Sequence, residues 1–117
     1  MISIVDDDAD VRDMLVSLVR SLGYDARGFV SAEDLLASDD IGGFACAIVD
    51  IHLPEMSGFE LKERLDERSH AFPVIMITAR TEPGLEERAI SSGATCFLRK
   101  PFEIDTLVGC IEKALSN

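Results

Sequence analysis

The chain has 117 residues, 47% of them hydrophobic and 28% charged, enough to bury one core without staples, so a single domain over residues 1–117 is expected. Twenty-two acidic residues against eleven basic ones leave a net charge of -11, which excludes the basic stripe that direct nucleic-acid binding needs and disfavours an anionic membrane surface. No apolar run approaches the roughly 18 residues of a membrane span, and the N-terminus lacks the basic segment and cleavage site of an export signal, so a soluble cytoplasmic protein is expected.

The first element is the apolar run ISIV (2–5); short continuous runs rich in Ile and Val suit strands buried on both faces of a parallel sheet. It leads at once into Asp6, Asp7 and Asp8. Carboxylates this close repel one another and raise each other's pKa unless a cation or donors offset the charge. Acidic residues also cap helices and suit the positive end of the helix dipole, so both readings stand at this point. Val11, Leu15, Leu18, Val19 and Leu22 then recur at helical spacing, and Gly23 supplies a stop. DARGF (25–29) is a weaker strand, expected at a sheet edge. Ser31-Ala32-Glu33-Asp34 resembles a capping box that opens a short second helix.

Past a Gly42-Gly43 loop comes the strand CAIV (46–49), followed by Asp50 and a turn through Pro54 into a third helix after Gly58. The strand VIMI (74–77) ends at Thr78, and a fourth helix starts near Pro83 with Leu85, Ala89 and Ile90 as its apolar anchors. The strand CFL (96–98) precedes Lys100, and Ile104, Leu107, Val108, Ile111 and Leu115 form the apolar face of a last helix. Cys46, Cys96 and Cys110 lie in apolar surroundings without CxxC spacing and read as reduced, packed thiols.

Strand and helix thus alternate five times, which predicts a parallel sheet with right-handed crossovers and helices on both faces. In such sheets ligands bind beyond the carboxyl ends of the strands, where strand order reverses. Those ends hold Asp6, Asp7, Asp8, Asp50, Thr78 and Lys100. Neighbouring strands are about 4.8 Å apart, so with the first and third adjacent their carboxylates would share one pocket. Oxygen donors of that kind suit magnesium, which keeps several waters and is held by one or two carboxylates plus a phosphate. Acids with one hydroxyl and one ammonium also suit phosphoryl transfer to a carboxylate nucleophile.

The spacing of IVDDD, AIVDIHLPEMSG, VIMITA and FLRKPF, from Ile2 to Leu115, resembles the receiver domain of two-component response regulators. SAEDLL (31–36) and RKPFE (99–103) most resemble its FixJ- and NarL-like branches. The resemblance implies a doubly wound, flavodoxin-like (βα)5 fold with strand order 2-1-3-4-5. It implies Asp50 as phosphoacceptor, with Asp7 a direct ligand of Mg2+ (or Mn2+), Asp6 acting on the metal through water, and the peptide carbonyl of His52 a further ligand. Thr78 matches the switch hydroxyl, Lys100 the phosphate-binding lysine before a cis proline bond, and Phe97 the switch aromatic; Asp8 falls outside the acidic pair.

The implied protein is a phosphoacceptor regulator rather than an enzyme. Its donor is a sensor histidine kinase or phosphotransfer protein. Its altered face, built from the fourth helix, fifth strand and fifth helix, is read by an effector domain, a second copy or another protein. The main alternative is a magnesium-dependent phosphohydrolase of the haloacid dehalogenase type, which needs an aspartate where His52 stands. A receiver that signals without phosphorylation is disfavoured because every expected functional residue is present. The His52 side chain is expected to line the mouth of the site, Arg80 to be a solvated loop cation with a possible part in acyl-phosphate lifetime, and His70 to be solvated. Met14, Met56 and Met76 read as packing or loop residues.

Overall fold

The computed structural model describes residues 1–68 and 72–116; His70 lies outside the described residues. In chain order the elements are β1 (Ile2–Val5), α1 (Ala9–Ser21), β2 (Ala26–Phe29), α2 (Ala32–Leu36), β3 (Cys46–Asp50), α3 (Gly58–Glu67), β4 (Val74–Thr78), α4 (Leu85–Ser91), β5 (Cys96–Arg99) and α5 (Ile104–Leu115), with a 3-10 turn at Ile41–Gly43. All strand pairs are parallel and the order is β2-β1-β3-β4-β5. The chain therefore winds outward from β1 in both directions, the doubly wound flavodoxin-like topology. Its switch point falls between β1 and β3.

The period-2 geometry of the strands divides the core into two layers. Ile2, Ile4, Cys46, Ile48, Ile75 and Ile77 face α1 and α5, where they meet Leu15, Val19, Leu107 and Ile111. Val5, Ala47, Val49, Val74 and Met76 face the other way, onto Leu35, Phe59, Leu61, Leu65 and Ala89 of α2, α3 and α4. Burial of both faces explains why β1, β3 and β4 read as unbroken apolar runs. Local chemistry then sets the helix starts. Ser31 and Ser57 accept the N–H groups of Asp34 and Glu60 at 3.1 and 3.2 Å, which satisfies donors that the first turn leaves free.

Three sequence expectations change. β5, at the sheet edge where the expected order puts it, is not buried on both faces: Cys96 and Phe97 are half-buried and Arg99 is exposed. Ile90 and Ile104, expected to anchor α4 and α5, are 52% and 59% exposed. The buried stripe of α5 instead runs through Leu107, Cys110, Ile111 and Ala114, because small residues let the helix lie close to the sheet and a count of large apolar side chains passes over them. Met14 is exposed on α1, whereas Met76 is core and Met56 packs against it. No helix among the described residues is long and apolar enough to cross a membrane.

Gly58 shows how tightly α3 is drawn onto β3. A Cβ there would lie 2.8 Å from the Asp50 carbonyl oxygen and 2.9 Å from Ile51 Cα, both backbone atoms that cannot step aside. Gly58→Ala is expected to cost about 1–3 kcal/mol in urea unfolding, the range for overpacking a dense core. Gly109→Ala in α5, where a Cβ meets nothing within 4 Å, should instead stabilise by about 0.5–1 kcal/mol. Equal effects at the two positions would contradict this packing.

Candidate functional site

Strand register assembles the site. Val5 pairs with Val49 across β1 and β3, so Asp6, the residue after β1, lies beside Asp50, the last residue of β3. One carboxylate oxygen from each of Asp6, Asp7 and Asp50 lies within 4.8 Å of the other two. Asp6 is fully buried and Asp50 nearly so, while Asp7 is exposed at the mouth. Asp8 leaves the group: its side chain caps α1 by accepting the N–H groups of Asp10 and Val11 at 2.9 and 3.3 Å. Of the two readings of the acidic run, cap and cluster, both are realised, by different residues.

The donors facing these acids come from three directions. Lys100, the residue after β5, donates from Nζ to Asp6 Oδ2 at 2.8 Å and to Asp50 Oδ2 at 3.1 Å. The backbone N–H groups of Asp8 and His52 donate to Asp6 Oδ1 and Asp50 Oδ1, each at 2.9 Å. Arg12 donates from its guanidinium to the Asp6 carbonyl at 2.8 Å. Its stem crosses Gly28, where a Cβ would come within 3.0 Å of Arg12 Cγ. Sequence reading missed Arg12; the available signal was a glycine inside a strand, which marks a close approach.

Burial pushes the Asp6 carboxyl above its ordinary range, and the Asp50 charge adds to this, while the bonds from Lys100 and the Asp8 N–H oppose it. Burial pulls Lys100 down, but its bond to Asp6 and the charge of Asp50 outweigh that and hold the ammonium above its usual value. Three carboxylates against one ammonium, which bonds Asp6 and Asp50, leave an excess of negative charge, and every ligand atom on offer is a hard oxygen. That donor set fits a magnesium-like cation. Lys100–Pro101 is a cis peptide bond.

Thr78, buried at the end of β4, accepts the Arg80 N–H at 3.0 Å and lies 3.0 Å from His52 Nδ1. Beyond it, His52 Nε2 stands 3.7 Å from Glu82, which also pairs with Arg80 at 3.2 Å. The His52 ring therefore does more than line the mouth, and Arg80 is exposed but paired. Phe97 is half-buried against the layer beneath α4, with the Arg99 guanidinium 5.2 Å above its ring. Arg88 of α4 stacks on Phe59 of α3 at 4.0 Å. All three cysteines are free, and burial pushes the Cys46 and Cys110 thiols up to about 12. Cys46 and Cys110 therefore stay protonated, as packed thiols should.

A family model described as the response regulator receiver domain matches residues 2–112. Response regulator protein TmoT of Ectopseudomonas mendocina is 40% identical over 117 residues, covering 98% of this chain and 52% of its own. Transcriptional regulatory protein FixJ of Bradyrhizobium diazoefficiens is 35% identical over 114 residues, 97% of this chain and 56% of its own. The chain spans about half the length of the curated relatives it matches. Among solved structures, the response regulator StyR superposes with a TM-score of 0.90 at 37% identity, over 98% of this chain and 58% of that one.

The raised Asp6 carboxyl has a consequence for stability. Its native pKa lies above the ordinary carboxyl value of 3.8, so the native state holds this proton more tightly than the unfolded chain does. The associated stability is fully present below the unfolded value and is lost as pH rises through the native one. Without added metal, Asp6→Asn should therefore melt a few degrees above the parent at neutral pH, and the gap should close as the pH falls toward 3.8. A variant that melts lower at neutral pH would mean that pairing with Lys100 outweighs the burial.

Proposed function

This chain belongs to the response regulator receiver domain family, and from that membership we propose that it is a phosphorylation-dependent signalling receiver whose phosphoacceptor is Asp50. The observation that carries the reading is the placement of the Asp50 carboxylate, nearly buried, between the Lys100 ammonium and the His52 N–H, within 4.8 Å of Asp6 and Asp7 oxygens. The proposed receiver unit is residues 1–117. It acts in the cytoplasm on a phosphohistidine of a sensor histidine kinase or phosphotransfer protein. The phosphohydrolase alternative gains nothing from the structure, since His52 stands where its second aspartate is required.

In the proposed reaction an Asp50 oxygen attacks phosphorus, an O–P bond forms, and the donor's N–P bond breaks. Asp7, Asp50 and the His52 carbonyl would hold Mg2+ or Mn2+, with Asp6 acting through a bound water. The metal, when bound, neutralises charge on the transferring phosphoryl group. Lys100, already bonded to Asp50, takes one phosphoryl oxygen, and the Thr78 hydroxyl takes another. Drawing on Thr78 pulls the start of the segment that leads to α4. Phe97, between α4 and α5 on the edge strand, then turns inward.

The changed surface is that of α4, β5 and α5, and it is read by an effector domain, by a second copy of the chain or by a separate protein. That FixJ, like the 34% identical TdiR of Thauera aromatica, is a transcriptional regulatory protein supports an effector that acts on transcription. The acidic domain itself, with net charge -11, makes no direct contact with nucleic acid or membrane.

Acetyl phosphate with magnesium should add one phosphoryl group to the intact mass, and Asp50→Asn should abolish the gain; a gain that persists would place the acceptor elsewhere. Magnesium itself should bind weakly, on the order of 0.1–10 mM, because the site keeps waters. Asp7→Asn should weaken that binding in amide spectra of residues 6, 7, 50 and 52, and silence of those amides at tens of millimolar would reject the metal assignment.

Hydrogen exchange with and without beryllofluoride tests the output face. Protection changes should centre on residues 79–108, and Thr78→Ala should blunt them while the mimic still binds. Changes confined to α1 would show that another face carries the signal.

A further inference from the structure

Thr78 is fully buried, and a hydroxyl has one proton to donate and two lone pairs to fill. The Arg80 N–H occupies one lone pair at 3.0 Å. The remaining partner is His52, whose Nδ1 lies 3.0 Å away, while its Nε2 faces the Glu82 carboxylate at 3.7 Å. A carboxylate on that side favours the ring proton on Nε2 and leaves Nδ1 to accept the Thr78 O–H. In that tautomer the single proton of Thr78 is committed to His52. No hydrogen bond among the described residues joins Thr78 to Asp50, whose oxygens are taken by the His52 N–H and Lys100.

We infer that His52 is a positioning residue that latches the Thr78 hydroxyl in its unphosphorylated setting. The inference rests on the reading of Asp50 as phosphoacceptor and Thr78 as the hydroxyl that turns to the phosphoryl group. Thr78 cannot donate one proton to both His52 and a phosphoryl oxygen, so switching breaks the latch. The same ring ties the loop after β3 to Glu82, in the segment that enters α4. That segment ends at Gly84, which is left-handed at φ 85° and gives α4 no side-chain cap. Glu82 pairs with Arg80 at 3.2 Å as well, so loss of the Thr78–His52 bond frees a contact that reaches the residues just before α4. His52 thus sets how strongly a phosphoryl group must pull before α4 responds.

The test is a double-mutant cycle read by beryllofluoride titration at fixed magnesium. His52→Ala should tighten the apparent affinity by about three- to tenfold, the size of one net hydrogen bond. In a Thr78→Val background, where no hydroxyl remains to be held, the same substitution should change it by less than about twofold. Glu82→Gln should give a smaller tightening in the same direction. An unchanged affinity in His52→Ala, or equal tightening in both backgrounds, overturns the latch and assigns any effect to a wider mouth. Absence of beryllofluoride binding by the parent, or binding that survives Asp50→Asn, overturns the phosphoacceptor reading instead. The latch is then still decided by three-bond couplings of Thr78 in the free protein, which should shift to mixed rotamers in His52→Ala; a single unchanged rotamer rejects it.

Discussion

Like charge gathered at the ends of two neighbouring strands is the constraint around which the molecule is organised. Carboxylate oxygens within 4.8 Å of one another repel by at least about 3.5 kcal/mol at an effective dielectric near 20. The fold opposes this with one bidentate ammonium, Lys100, and with backbone N–H groups of Asp8 and His52. Burial, with a smaller contribution from the Asp50 charge, still leaves the Asp6 carboxyl above its ordinary range. The result is a pocket of hard oxygen donors with the charge a divalent cation would offset, held in place by the rest of the sheet.

The rigid part of that scaffold is the stretch from β1 through β3 to β4, whose residues are buried on both faces. Gly58 fastens α3 onto the end of β3, so Asp50 sits on backbone that has no room to shift. The opposite holds for α4. It is seven residues long, starts without a side-chain cap and buries Leu85 and Ala89, with Arg88 stacked on Phe59. Elements held by few apolar contacts are those that open or shift at low cost. Thr78 stands at the border between the two regimes, the last residue of a buried strand and the first before the mobile-capable segment.

The relatives match this chain over about half their own length, so the receiver domain is the part they have in common with it. A surface with a strong negative charge is poorly suited to touching DNA itself.

Much of this was legible before any coordinates. The alternation of apolar runs with helical spacing, the weak edge strand β2, the helix stops and the polar residues at each strand end are local signals, and local signals survive in a linear string. Asp6, Asp7, Asp50, Thr78 and Lys100 could be named because a parallel sheet brings all carboxyl ends to one side. The family resemblance added strand order and roles. What the string does not carry is which side chains meet across elements: His52 and Thr78 are 26 residues apart, Arg12 reaches the Asp6 carbonyl only because Gly28 leaves room on β2, and the buried stripe of α5 runs through Cys110 and Ala114 rather than Ile104. Those choices depend on register, crossing distance and rotamer, quantities that exist only once the strands have paired and the helices have settled on the sheet.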